Sequence, residues 1–184
     1  MTVPFYVSPE QLVRDRSDFA RKGIARGRSV VVQRYRDGIC FVAENPSGTL
    51  HKVSEIHDRI GFAAVGRYNE FESLRVAGIQ AADPRGFTYD RADVSARALV
   101  QLYALVLGSV FASDDKPLEV ELALAEVGDA AASDRLYRIA YDGSVAEEGD
   151  LFVMGGAAEA LTEQLREGHS PGAGLGEAIA LAAA

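Results

Sequence analysis

Apolar and polar residues alternate along this chain with two different periodicities, which predict where its strands and helices lie. Runs that are rich in β-branched and aromatic residues or alternate with a period of two predict strands. These runs are 29–35, 38–45, 50–57, 60–66, 118–127, 135–148 and 150–156. Apolar residues at helical spacing predict helices over about 8–27, 69–82, 93–112, 157–168 and 174–184.

The ends of several elements carry their own signals. Ser8 precedes a proline and stands three residues before Gln11, which predicts a helix start with a capping box, and Gly23 or Gly27 can end that helix. The segment 82–86, Ala-Asp-Pro-Arg-Gly, is expected to stop the second helix. The third helix has apolar residues around its circumference, so we expect it to be buried on most sides.

The order of the elements predicts the fold class. After the first helix come strands, then two long helices, then strands again and two further helices, and Asp-Gly pairs at 37–38 and 142–143 indicate hairpins. This order favours helices packed outside two mainly antiparallel sheets over alternating βαβ units. We therefore predict an α+β fold with four layers, αββα, in a single domain of 184 residues.

The composition of the chain limits the kinds of partner and the cellular compartment that we expect for it. A formal net charge of −8 argues against nucleic acid as a partner, because phosphate backbones require a basic surface. The single cysteine, Cys40, lies in an apolar run and is expected to be a buried thiol in a reducing, cytoplasmic environment. The start of the chain has no export signal, and the apolar segment 98–112 is expected to be too short to cross a membrane.

The usual signatures of metal, nucleotide and ester chemistry are missing. The three histidines form no HExxH pair, and no second cysteine exists for a zinc site, so we expect no metal. The glycine-rich pieces at 153–160 and 172–178 match neither GxxxxGK[ST] nor GxGxxG, which disfavours a nucleotide-binding domain and any nucleotide cofactor. No serine lies in a G-x-S-x-G elbow.

Two residues, Lys52 and Thr2, have several possible functional roles. Lys52 heads an alternating run and could be a catalytic base, an anchor for a partner's anion or a solvated strand end. Thr2 would become the N-terminal residue if Met1 were removed, and its α-amino group could then act as the base of an N-terminal-nucleophile amidohydrolase. Against this alternative, a tail and a whole helix separate Thr2 from the first strand.

Six segments in order resemble one family, the α-type subunits of the 20S proteasome, most closely the actinobacterial ones. They are 8–31, 41–71, 89–97, 116–127, 136–145 and 153–156. The resemblance covers essentially the whole chain and implies the αββα sandwich of the N-terminal-nucleophile hydrolases. It also implies a non-catalytic subunit of an outer seven-membered ring, stacked on β subunits that carry the threonine peptidase sites and perform ubiquitin-independent protein degradation.

The same resemblance assigns parts of the chain to roles. Residues 1–7 would be a gate tail, 8–27 the N-terminal helix and 28–184 the sandwich. Lys52 and Gly66 would receive the C-terminal carboxylate of an activator, such as a ring-shaped ATPase, whereas catalytic relatives use the corresponding lysine beside their threonine. The implied gate residues are Thr2, Val3, Pro4, Phe5, Tyr6, Val7 and Pro9. The implied pore constriction is formed by Asp114, Asp115 and Lys116.

The chain departs from the family pattern in two places. Archaeal members carry Tyr-Asp-Arg in the tail, whereas this chain has Met-Thr-Val-Pro-Phe-Tyr-Val, so its gate is expected to close by apolar packing. Family members also continue past the last helix with further strands, whereas this sequence stops at residue 184. We therefore expect the sandwich to lack its final strands and to leave one sheet edge unpaired.

Overall fold

A computed structural model of the chain describes residues 7–88, 90–113 and 116–184. The expected gate residues Thr2–Tyr6 and the expected constriction residues Asp114 and Asp115 lie outside the described residues. The helices are α1 (Pro9–Ala25), α2 (Tyr68–Thr88), α3 (Ala96–Ser113), α4 (Ala158–Gly168) and α5 (Leu175–Ala183). The strands are β1 (Val30–Tyr35), β2 (Gly38–Ala43), β3 (Val53–His57), β4 (Ile60–Gly66), β5 (Val120–Glu126), β6 (Arg135–Ile139), β7 (Val145–Glu148) and β8 (Leu151–Met154).

The strands form two antiparallel sheets that pack face to face between two helical layers. One sheet has the order β2-β1-β8 and the other β3-β4-β5-β6-β7. Helices α2 and α3 cover the outer face of the five-stranded sheet, and α4 and α5 cover the other. The predicted α+β class and αββα layering are confirmed. Within the described residues, β8 pairs only with β1, so it is an edge strand of its sheet.

The two faces of the five-stranded sheet carry side chains of different size. Phe62, Leu122 and Leu124 face the helices, whereas Ala63 and Ala123 face the other sheet. Alternation along each strand produces this division, because successive side chains point to opposite faces. The small residues let the two sheets approach closely.

Both Asp-Gly pairs lie at hairpins, as predicted. Tyr35 pairs with Gly38, so the first turn consists of Arg36 and Asp37, and the glycine is already the first residue of β2. In the second hairpin Asp142 Oδ1 accepts a hydrogen bond from the Ser144 nitrogen at 2.9 Å. This is the local bond that makes aspartate a turn residue.

Helix α1 begins where the sequence predicts. The Ser8 hydroxyl accepts a hydrogen bond from the Gln11 backbone nitrogen at 3.2 Å, and Pro9 is the first helical residue. The second half of the predicted capping box is wrong, because the Gln11 side-chain amide donates to Asp15 instead, at 2.7 Å. The helix runs through Gly23 and ends before Gly27, whose nitrogen donates to the Ile24 carbonyl at 2.9 Å.

Helix α2 does not stop at Pro84, so that expectation is wrong. The proline lies inside a helix that continues to Thr88. Its last turns pack on His57, whose side chain is 3% exposed and whose Nε2 lies 3.2 Å from the Arg91 carbonyl. Gly86 lies so close that a Cβ there would be 2.8 Å from the imidazole Cε1. This packing offsets the hydrogen bond that a proline removes from the helix.

Helix α3 is buried on one face only, which corrects the expectation of burial on most sides. Tyr103 and Leu107 are buried against the sheet, whereas Leu105 is 72% exposed. By length and composition alone, the 18 residues of α3 are enough for a membrane span, which corrects the expectation that this segment is too short. The core helix of a globular domain meets the same criterion, and α3 packs Tyr103 and Leu107 against the sheet. The other helices among the described residues do not meet that criterion.

Candidate functional site

Lys52 lies immediately before β3, and its ammonium reaches the link between α1 and β1. Its Nζ donates a hydrogen bond to the carbonyl oxygen of Arg28 at 3.2 Å. The side chain is half-buried, and burial, together with the nearby Arg28 charge, lowers the pKa of Lys52. Among the described residues, Lys52 has no carboxylate within ion-pair distance. The ammonium is therefore a partly desolvated cation with no paired anion in the described part of the chain.

Gly66 ends β4 in a conformation that favours glycine. Its φ is +110°, and a Cβ at this position would overlap the carbonyl group of Glu119 on the neighbouring segment. The Arg67 nitrogen donates to that same carbonyl at 2.9 Å, which fixes the approach of the two segments. The backbone conformation and this close contact therefore require glycine at position 66.

The hydrogen bonds on either side of Gly66 determine where its N–H points. The Ala64 nitrogen donates to the Lys52 carbonyl at 3.0 Å, toward β3, whereas the Arg67 nitrogen donates toward Glu119 on the β5 side. Because N–H groups alternate sides along an antiparallel strand, the Gly66 N–H points to the Lys52 side. The Lys52 residue and the N–H of Gly66, which are the two groups expected to bind a tail, therefore lie on the same edge of β4.

The Gly27–Ser29 link lies against both groups. A Cβ at Gly27 would be 3.1 Å from the Gly66 nitrogen, and the adjacent Arg28 carbonyl accepts from Lys52. The Arg28 guanidinium is ion-paired with Glu44 on the protein surface. The site thus combines an ammonium and a backbone N–H with a second cation nearby. Such donors suit a carboxylate, because none of them is an acceptor that needs its own partner.

The geometry around Lys52 differs from that of a catalytic base. The described residues place a main-chain carbonyl against the ammonium, and no hydroxyl is hydrogen-bonded to it. A nucleophile needs a base within hydrogen-bond reach of its proton. Thr2 lies outside the described residues, and Val7 and Pro9 are exposed at the start of α1.

The described part of the expected constriction is Lys116, which takes part in a charge network. Its Nζ lies 2.5 Å from Glu70 and 3.1 Å from Glu119, and Arg67 lies 3.3 Å from Glu119. The side chains of Glu70 and Glu119 are only 9% and 11% exposed. The Lys116 ammonium is therefore held by two largely buried carboxylates, one in the first turn of α2 and one immediately before β5.

This network also touches α1. Lys116 Nζ lies 5.7 Å from the ring centre of Phe19, and a Cβ at Gly23 would meet the Glu119 side chain. Sequence reasoning named Lys116 for the constriction but missed both carboxylates of this network, because Glu70 is 46 residues away in the chain and the nearby Glu119 gives no sign that it is buried. Their only sequence signal is an acidic residue beside an apolar run.

The described residues contain no cluster of three histidine, cysteine, aspartate or glutamate side chains arranged to hold a metal ion. His57 is used structurally, and His169 Nε2 lies 3.1 Å from the Arg34 carbonyl.

Comparison with known proteins gives a consistent result. The family model described as "Proteasome subunit" matches residues 24–184. Relatives named "Proteasome subunit alpha" include those of Nocardioides sp., 62% identical over 100% of this chain and 72% of the relative, and Xylanimonas cellulosilytica, 63% identical over 99% and 75%. A third, from Geodermatophilus obscurus, is 61% identical over 97% of this chain and 62% of its own length. The chain therefore spans about two thirds to three quarters of these relatives.

Proposed function

Because this chain belongs to the proteasome subunit family and is of the non-catalytic alpha type, we propose that it forms the outer ring of a 20S core particle. In this role seven copies contact one another around an axis and stack on a ring of β subunits that carry the threonine peptidase sites. The particle degrades proteins in the cytoplasm without ubiquitin, and an activator docks on the outer ring.

The observation that carries the docking part of this proposal is the placement of Lys52. A half-buried ammonium, without a carboxylate partner among the described residues, shares one edge of β4 with the N–H of Gly66. We assign this edge as the receptor for the terminal carboxylate of an activator tail. Binding of the carboxylate would favour the charged form of Lys52, whose pKa is lowered in the free chain.

The gate and the constriction complete the proposed role. Residues 1–7 precede a well-capped helix, so they can order around a ring axis and leave it at low cost. In the sequence, Asp114 and Asp115 lie between the last residue of α3 and Lys116, so a ring of copies would repeat this concentrated charge around its axis.

The alternative is a self-contained amidohydrolase that uses Thr2, which lies outside the described residues; it is disfavoured because alpha-type subunits are non-catalytic. Native mass spectrometry of the chain with and without a β partner, combined with a peptide-hydrolysis assay of the chain alone, tests the proposal. We expect a ring with its β partner and no hydrolysis by the chain alone. Turnover that is lost in Thr2→Ala would overturn the proposal in favour of the alternative.

A further inference from the structure

Arg28, in the link between α1 and β1, contacts both ends of the segment that joins β2 to β3. Its carbonyl oxygen accepts the hydrogen bond of the Lys52 ammonium, immediately before β3. Its guanidinium forms an ion pair with Glu44, the residue that follows β2. One arginine therefore lies beside a lysine that is expected to bind a carboxylate and already holds a carboxylate of the chain itself.

The segment between Glu44 and Lys52 is held by hydrogen bonds of its own. Asn45 Nδ2 donates to the Leu50 carbonyl at 2.8 Å, and Asn45 Oδ1 accepts from the Ser47 nitrogen at 3.3 Å. Such a turn fixes a short loop without help from the charged side chains at its ends. The carboxylate of Glu44 is therefore not needed to hold this loop, and its ion-pair partner is Arg28.

The charges at this edge do not balance. Burial, and then the charge of Arg28, lower the pKa of Lys52, so the two cations are close enough to repel each other. In the described part of the chain these two cations share one carboxylate, that of Glu44, and it pairs with Arg28 and not with Lys52. A second carboxylate at this edge would relieve the repulsion.

The ion pair between Arg28 and Glu44 is weak enough to be exchanged. Its side chains are 49% and 69% exposed, and water screens such a pair, so it contributes little to stability. A guanidinium presents five N–H donors in a planar fork, which fits any carboxylate that reaches it. An incoming carboxylate can therefore displace Glu44 without disturbing the fold.

We propose that Arg28 is a further binding residue for the activator tail and that Glu44 competes with the tail for its guanidinium. This inference rests on the docking role proposed above for Lys52 and Gly66. In the free chain Glu44 holds the guanidinium. A terminal carboxylate that binds Lys52 and the Gly66 N–H arrives beside Arg28 and takes the place of Glu44. Glu44 therefore lowers the affinity of this edge for every tail that carries a free carboxylate.

Titration of the full chain, labelled with ¹⁵N, by acetyl-tetraalanine with a free C-terminal carboxylate tests the competition. The same peptide with a C-terminal amide is the uncharged probe, and the Gly66 N–H is the reporter. We expect Glu44→Gln to tighten binding of the free carboxylate about threefold and Arg28→Gln to weaken it about threefold, because each change alters an exposed charge pair. Arg28→Gln keeps the carbonyl that binds Lys52.

The double variant separates competition from simple repulsion between Glu44 and the tail. If Glu44 acts by occupying Arg28, Glu44→Gln has no effect on binding in the Arg28→Gln background. Equal tightening in both backgrounds would overturn the proposal. Glu147→Gln is the matched control, because its carboxylate is similarly exposed and lies 3.5 Å from Arg135 on β6. If Glu44→Gln binds the probe like this control, the proposal is also wrong.

Lys52→Ala distinguishes a failure of this inference from a failure of the docking role. If Lys52→Ala abolishes carboxylate binding and the Arg28 and Glu44 variants show no competition, only this inference is wrong. If Lys52→Ala binds like the unchanged chain, or if the unchanged chain binds the carboxylate and the amide peptides equally, the docking role is wrong and this inference is overturned with it.

Discussion

The Nζ of Lys52 donates a hydrogen bond to the carbonyl oxygen of Arg28 across 3.2 Å, which ties the start of β3 to the link between α1 and β1. An ammonium has three N–H donors, so this contact leaves two of them available for another acceptor. It also fixes the direction of the lysine, so the proposed activator carboxylate would meet a charge that is already positioned. Removing this side chain should affect docking more than folding.

Lys52→Ala is expected to weaken activator binding about ten- to a hundredfold per pocket, because a charge-assisted hydrogen bond contributes about 1.5–3 kcal/mol. Several tails on one ring would multiply the loss. The measurement is activator binding and stimulated protein degradation by the assembled particle, with basal cleavage of small peptides unchanged. Lys22→Ala, an exposed lysine of α1, is the matched control. Equal responses of the two variants, or a loss of basal cleavage, would contradict the assignment.

Gly66→Ala is expected to destabilise the chain by about 1–3 kcal/mol, because φ is +110° and the added Cβ meets the Glu119 carbonyl. Urea unfolding of the purified chain measures the change. Gly48→Ala is the control, because a Cβ there has no neighbour within 4 Å, and it should change the free energy of unfolding by less than about 0.5 kcal/mol. Equal stabilities would mean that the β4–β5 backbone can relax at this point.

Deletion of residues 1–7 is expected to speed the degradation of long peptides by the assembled particle while leaving small peptides unaffected. The deletion removes the proposed obstruction but keeps Ser8 and its cap on α1. Cleavage rates of a long and a short fluorogenic peptide, measured on the same preparation, check the expectation. Unchanged rates for the long peptide would argue against a gate in this segment.

Asp114→Asn combined with Asp115→Asn is expected to change the degradation of charged unfolded proteins more than that of small neutral peptides. In the proposed ring, repetition would concentrate the two charges at the constriction through which a substrate chain passes. Lys116 is left intact in this test, because it is bound by Glu70 and Glu119 and its removal would disturb packing. Glu163→Gln combined with Glu167→Gln neutralises two exposed acids of α4 as a control. Equal effects on both substrate classes would indicate an ordinary surface turn.

The local sequence determined most element positions in this protein. The Ser8-Pro9 start of α1 and the two Asp-Gly hairpins depend on bonds within a few residues, so they can be read without knowing the fold. Alternation in the strands and helical spacing elsewhere then limited the layering to αββα, because each apolar face must be covered. Lys52 and Gly66 are assigned as tail-binding residues through the resemblance of the segments around them to a known family, and that assignment stays a prediction.

Other features depend on contacts between residues that are distant in the chain, and these could be known only from the tertiary structure. Helix α2 passes Pro84 because its last turns pack on His57, which is distant in the chain. Lys116 meets Glu70 because the fold brings the first turn of α2 to it, and the buried Gln33 amide donates to the Ala178 carbonyl because α5 packs on β1. Local propensities amount to about 1 kcal/mol per residue or less, so burial and paired charge can override them wherever the folded chain brings distant residues together.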